Sequence, residues 1–98
     1  MKNITDYISE HKITESNIDM DELFNSIEYW FDWHCRKDAY DSNSEWRKDL
    51  KYISKKENDF ATSECIDYLS DDYDNVEDYY DEIEDKLAEL AKKALDND

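Results

Sequence analysis

Apolar residues recur along this chain at intervals of three and four, the spacing that gathers side chains onto one face of a helix. Toward the C-terminal end Val76, Tyr80, Ile83, Leu87, Leu90 and Ala94 follow one another at four, three, four, three and four residues. Wound as a helix they fall within about 80° of arc, a stripe suited to a core. Asp74 and Glu77, three residues apart, supply a capping box, so a helix is expected to open at Asp74. A broader apolar face comes from Leu23, Phe24, Ile27, Trp30, Phe31, His34 and Cys35, behind a second capping box of Asp19 and Glu22. Tyr29 and Trp33 fall to the side of that face as a thin aromatic edge. Trp33 is the candidate contact residue there, because tryptophan is a frequent interface anchor.

Between these two helices, Ser42 and Glu45 form a further capping box ahead of Trp46, Leu50 and Ile53, with Phe60 following at a near-helical interval. A helix over about residues 43–58 is expected. Because the phase drifts across Glu57 and Asn58, periodicity leaves open whether this helix continues into Ala61, Cys65, Ile66 and Leu69 or breaks near Asp59; a break or kink is the expectation. Ile4, Tyr7 and Ile8 predict a short helix from Thr5 to about Lys12, with residues 13–18 as a connection.

The chain contains no glycine and no proline, so the usual means of making tight hairpins are missing. The fold class expected is all-α, a small bundle of about four to five helices forming one domain over residues 1–98. Mean hydropathy is -1.12 with 41% charged residues, a balance that alone would suggest disorder. The helical periodicity of the apolar 39% overrides it. No run of residues resembles a membrane span or the apolar region of a signal peptide. The expectation is a soluble protein of the cytoplasm, the host cytoplasm if it is phage-encoded.

Charge changes the picture most. From Glu57 to Asp85 there are thirteen carboxylates and no Lys or Arg, in a chain whose formal net charge is -16. Residues 1–56 carry twelve acids against nine bases, and residues 86–98 three against three. Within the acidic segment Asp67, Asp71, Asp74, Asp78, Asp81 and Asp85 are spaced four, three, four, three and four, a stripe along one side of a helix if the backbone stays helical. If the chain breaks before Asp74, the stripe becomes two shorter acidic surfaces meeting at an angle. Like charges at i,i+4 destabilise a helix by a few tenths of a kcal/mol per pair, roughly 0.2–0.5, so stability alone does not select the pattern. The bland alternative is a solvated, solubilising face. It leaves unexplained why the bases are confined to other segments. Glu82 to Lys86 and Glu89 to Lys93 are expected to pair along the last helix.

Several chemistries lack their residues. Two cysteines, Cys35 and Cys65, accompany apolar neighbours and read as buried thiols rather than a disulfide framework or a zinc site. A calcium loop started at Asp71 places Tyr73 at the third position, Val76 where glycine is needed and Glu82 at the twelfth, so only its ends fit. His11 and His34 belong to no catalytic constellation, and a phosphate-cradling loop needs glycine. No catalytic residue, cofactor or metal ligand is assigned. The bases Lys48, Lys51 and Lys55 share a helix face opposite Trp46, Leu50 and Ile53, which leaves a homodimer open, but direct nucleic-acid binding is not expected.

The remaining reading is electrostatic imitation of nucleic acid. Helical Asp groups every three or four residues lie roughly 5 Å apart, comparable with the approximately 3.4 Å rise per phosphate on one DNA strand. In size, acidity, helical character and aromatic content the chain resembles the phage-borne DNA-mimic proteins that block restriction enzymes or CRISPR effectors. The carboxylates Asp67, Asp71, Asp74, Asp78, Asp81 and Asp85 are the feature that falls on that class's phosphate-mimicking surface. The resemblance implies occupation of a DNA-binding or protospacer-adjacent-motif-binding groove with no chemistry performed. Glu77 and Glu82, which lie among these carboxylates, join them and Trp33 as candidate partner-binding residues. The partner expected is a basic nucleic-acid-binding protein or nuclease complex, with no membrane involved. The chain is also similar in size and acidity to the small helical immunity proteins that neutralise nuclease toxins. An acidic helical adaptor or assembly protein, with an apolar contact centred on Tyr29 and Trp33, is the alternative of a different class.

Overall fold

A computed structural model describes residues 19–97; the helix expected from Thr5 to Lys12 and the connection over 13–18 lie outside the described residues. Four α-helices and no strand occur among the described residues, so the protein is an all-α bundle. Helix α1 spans Met20–His34. It starts where the Asp19 carboxylate accepts from the backbone N–H groups of Asp21 at 3.0 Å and Glu22 at 3.4 Å, which satisfies two donors the helix cannot pair internally. Helix α2, Asn43–Ser54, follows a 3-10 turn at Lys37–Ala39 and is capped by Ser42, whose Oγ accepts from Glu45 N–H at 3.2 Å. The Trp46 indole Nε1 donates to the Cys35 carbonyl at 2.9 Å, tying α2 to the end of α1 inside the core.

The expected break is real and its cause is local. Helix α2 ends at Ser54, earlier than residue 58, because Lys56 turns into the left-handed region at φ 60°. Helix α3, Asp59–Leu69, then restarts with Asn58 Oδ1 accepting from Ala61 N–H at 2.9 Å. Resetting the phase there moves Phe60, expected in the core series, to 73% exposure, while Ala61, Cys65 and Leu69 take the buried face. A second left-handed residue, Asn75 at φ 59°, precedes a 3-10 turn at Val76–Tyr79 and helix α4, Tyr80–Asp96. Asparagine tolerates this region better than most side chains; lysine does so at a conformational cost of about 1–2 kcal/mol, in a chain without glycine.

Helix α4 packs against all three others, most extensively against α2. Val76, Ile83 and Leu87 of its predicted stripe are buried, but Tyr80, Leu90 and Ala94 are only partly so, and Ala88 and Ala91 complete the buried face instead. A helix surrounded by three neighbours buries a wider arc than one stripe. Leu23, Ile27, Leu50, Leu69, Ile83 and Leu87 are at most 1% exposed. Each contributes about 1.5–3 kcal/mol of burial, against roughly 0–1 for an exposed ion pair. One apolar cluster drawn from all four helices therefore holds the bundle together. No helix among the described residues is long and apolar enough to cross a membrane.

Candidate functional site

The acidic candidates occupy separate pieces of backbone. Asp67 lies in the last turn of α3, Asp71 and Asp74 in the connection, Glu77 and Asp78 in the 3-10 turn, and Asp81, Glu82 and Asp85 in the first half of α4. All eight are exposed. The single helical rod through Asp67 to Asp85 does not form. The Leu69 carbonyl accepts from Asp72 N–H at 3.0 Å and Tyr73 N–H at 2.9 Å, closing a turn, and Asn75 then reverses the backbone hand. The capping box expected from Asp74 and Glu77 is absent for the same reason. Neither the 3-10 turn nor α4 has a side-chain cap, and α4 starts six residues later than Asp74. Burial of Val76 and the half-burial of Tyr73 override the local capping pattern.

The Tyr73 hydroxyl and Ser26 Oγ share a hydrogen bond at 3.0 Å, which fastens the acidic connection to α1. At the other end, Tyr80 donates its hydroxyl to the Asp59 carboxylate, joining the start of α4 to the start of α3. That bond, together with desolvation and the negative charge of Asp59, pushes the Tyr80 phenol up to about 12.

Two lysines flank the acidic segment in sequence, and they fold in different directions. Lys56 Nζ lies 2.7 Å from Asp85 Oδ1, so one candidate carboxylate is already paired within the chain. The hydrogen bond and charge of Asp85 raise the Lys56 ammonium above its ordinary value. Lys86 does not pair with Glu82 as expected. Its side chain, 14% exposed, reaches α1, where Nζ lies 2.9 Å from Glu28 and 5.5 Å from the Phe24 ring centre. The tertiary pairing is available because α4 packs directly on α1, and a partly buried ammonium gains more from a fixed partner than from a flexible neighbour one turn away. The expected pair of Glu89 and Lys93 does form, at 3.3 Å.

The helix ends divide the carboxylates into two physical classes. Asp81 and Glu82 sit in the first turn of α4, at the positive end of its dipole, and need no explanation beyond helix stability. Asp67 sits in the last turn of α3, which holds no basic residue, and Asp71 and Asp72 follow directly. There the helix end is negative, and each carboxylate is unfavourable by about 0.3–1 kcal/mol when close to it. Stability does not account for this second group.

Trp33 is 56% exposed, as its position beside the apolar face of α1 predicts. Tyr29, equally exposed, stands 6.1 Å from it, and the Arg36 guanidinium lies 5.6 Å from the Trp33 ring centre. Tyr68 of α3 joins this edge across the helix interface, its ring 6.1 Å from His34, which in turn stacks on Trp30 at 5.2 Å. His34 was expected in the core face but is exposed at its border. The sequence places Tyr68 one residue before buried Leu69 and so at the flank of α3, but says nothing of its meeting α1.

Among the described residues no three His, Cys, Asp or Glu side chains converge to hold a metal ion. Cys35 and Cys65 are free, buried thiols, both pushed up to about 12 chiefly by burial, so the nucleophilic thiolate is suppressed. The arrangement offers charge and aromatic contact area. No family model, curated protein or solved structure matches this chain.

Proposed function

We propose that the protein is a non-catalytic inhibitor that presents its acidic surface to the basic, nucleic-acid-binding cleft of a defence nuclease or CRISPR effector. The observation that carries this reading is the group of carboxylates around the C-terminal end of α3 and the following connection, Asp67, Asp71, Asp72 and Asp74. All are exposed, no cation is present in that stretch of sequence, and the helix end disfavours charge at Asp67 and, more weakly, at Asp71 and Asp72. A bent acidic surface of this kind serves a phosphate-binding cleft through charge-assisted pairs to Lys and Arg, and steers the encounter at long range. Asp85, held by Lys56, contributes less than its place in the spacing implied. An immunity protein against a nuclease toxin uses the same physics with a different partner.

A second reading, an adaptor with an apolar contact, is favoured by the exposed Tyr29 and Trp33. Capture of partners from the natural host on immobilised protein, eluted with rising salt, separates the two. The inhibitor reading expects nucleic-acid-binding proteins that leave as the Debye length falls from about 10 Å to about 3 Å. Capture that survives replacement of Asp67, Asp71, Asp74 and Asp78 by Asn, with partners retained at high salt, would sink it and leave the adaptor.

A further inference from the structure

Two shallow grooves between α1 and α3 share the lining residues Tyr29 and Tyr68. The first, of about 250 Å³, is walled by Trp30, Trp33 and His34 in addition to the shared rings. The second, of about 200 Å³, counts Glu22 and Asp72 among its lining residues. The second groove alone brings aromatic rings, Tyr29 and Tyr68, together with carboxylates, Glu22 and Asp72; Trp33 lies eleven residues from Glu22 on α1, roughly 16 Å along the helix. The bond between Ser26 and Tyr73 fastens the residue next to Asp72 onto α1.

From this juxtaposition we infer that the cleft is a docking site for an arginine side chain of a basic polypeptide partner. A guanidinium is planar and weakly hydrated; it stacks on aromatic faces while its in-plane N–H groups donate to carboxylates. An ammonium can sit over a ring, as Lys86 does over Phe24, but it cannot lie flat on the ring while donating in its plane to a carboxylate. An aliphatic side chain satisfies only the rings and leaves Glu22 and Asp72 beside an apolar body. Trp33, in the first groove, already carries the stacking half of this contact from the chain's own Arg36. The inference rests on the proposed function for the source of the arginine, a basic protein, but the chemistry of the cleft stands without it.

The test uses the full chain with acetylated hexa-arginine and hexa-lysine peptides at physiological salt. Affinity is followed by calorimetry, and the site by backbone amide shifts and Trp33 emission, the other two tryptophans being 6% exposed. Hexa-arginine is expected to bind more tightly than hexa-lysine and to shift the amides of Tyr29, Tyr68 and Asp72. Tyr29→Leu and Tyr68→Leu, both at exposed positions, each weaken hexa-arginine about 2- to 5-fold, and the preference for arginine disappears in the double variant. Equal affinity for the two peptides, no detectable binding, or a double variant that binds as the parent does overturns the inference. Asp71→Asn with Asp74→Asn and Asp78→Asn serves as the contrasting variant, weakening both peptides while sparing the arginine preference. Loss of that preference in this variant would also overturn the cleft assignment. If the preference holds yet partner capture ignores those three substitutions, the inhibitor reading fails and the cleft remains.

Discussion

Replacing Asp67 and Asp71 together by asparagine is expected to stabilise the protein and, on the proposed function, to weaken binding to a basic partner. Asp67 lies in the last turn of α3 and Asp71 just past its Ser70 cap, both exposed, with no basic residue in that turn. A carboxylate at the negative end of a helix is unfavourable by about 0.3–1 kcal/mol, and the effect fades beyond the last turn, so the pair is worth about 1 kcal/mol. For a domain of this size that raises the Tm by about 4–8 °C at low ionic strength. In about 1 M salt, where the Debye length is about 3 Å, most of the gain disappears. The control is Asp81→Asn with Glu82→Gln in the first turn of α4, where the same neutralisation lowers the Tm by a similar amount. Thermal unfolding by circular dichroism at low and high salt reads all four numbers. A shift of the same sign in both variants, or a gain that persists in high salt, refutes the assignment to helix-end electrostatics. The binding arm asks more. A charge kept at a cost to stability needs a use, and if the stabilised variant holds its partner as tightly as the parent, these carboxylates are outside the contact surface.

Two further outcomes follow from the joints and the buried thiols. Asn75→Ala, forcing a Cβ-branching-free but less tolerant side chain into φ 59°, is expected to lose about 1 kcal/mol in urea unfolding, whereas Asn75→Gly stays within about 0.5; equal losses mean the left-handed turn is not what the asparagine supplies. Under reducing conditions stability is expected to fall as pH rises from about 9 toward about 12, because Cys35 and Cys65 ionise near 9.0 when unfolded but only near 12 when buried, so the folded state holds its protons more tightly and loses that advantage as they leave the unfolded chain. Tyr40 and Tyr80, also raised to about 12, add to the same limb. Replacing both cysteines by Ala makes the alkaline decline shallower, and an unchanged slope in the Tm against pH rules out the thiols as its source.

What could be read from the chain directly was whatever depends on neighbours a few residues away. Periodicity identified α1, α2 and most of α4, with most of the apolar faces of α1 and α2, and the caps Asp19 and Ser42 lie where their side chains reach N–H groups two or three residues on. The phase error before α3 left a break or a continuous helix open, with a break expected, and Trp33 fell outside the apolar arc and is exposed. Long-range packing decided the rest. Asp74 and Glu77 have the same spacing as Ser42 and Glu45, yet no cap forms, because Asn75 turns left-handed and Val76 must reach the core. Phe60 lost its place to Ala61 when the helix restarted, and Ala88 and Ala91 entered the core because α4 has neighbours on three sides. Lys86 chose Glu28 on another helix over Glu82 on its own. The acidic segment was plain as a count of charges, but its division into a favourable group at the start of α4 and an unfavourable one at the end of α3 needed the helix ends. The cleft needed two helices to bring Tyr68 and Asp72 to Tyr29 and Glu22. Helical period and capping are set by local backbone geometry; which carboxylates face a helix dipole, a lysine or an aromatic ring is set by how the helices pack.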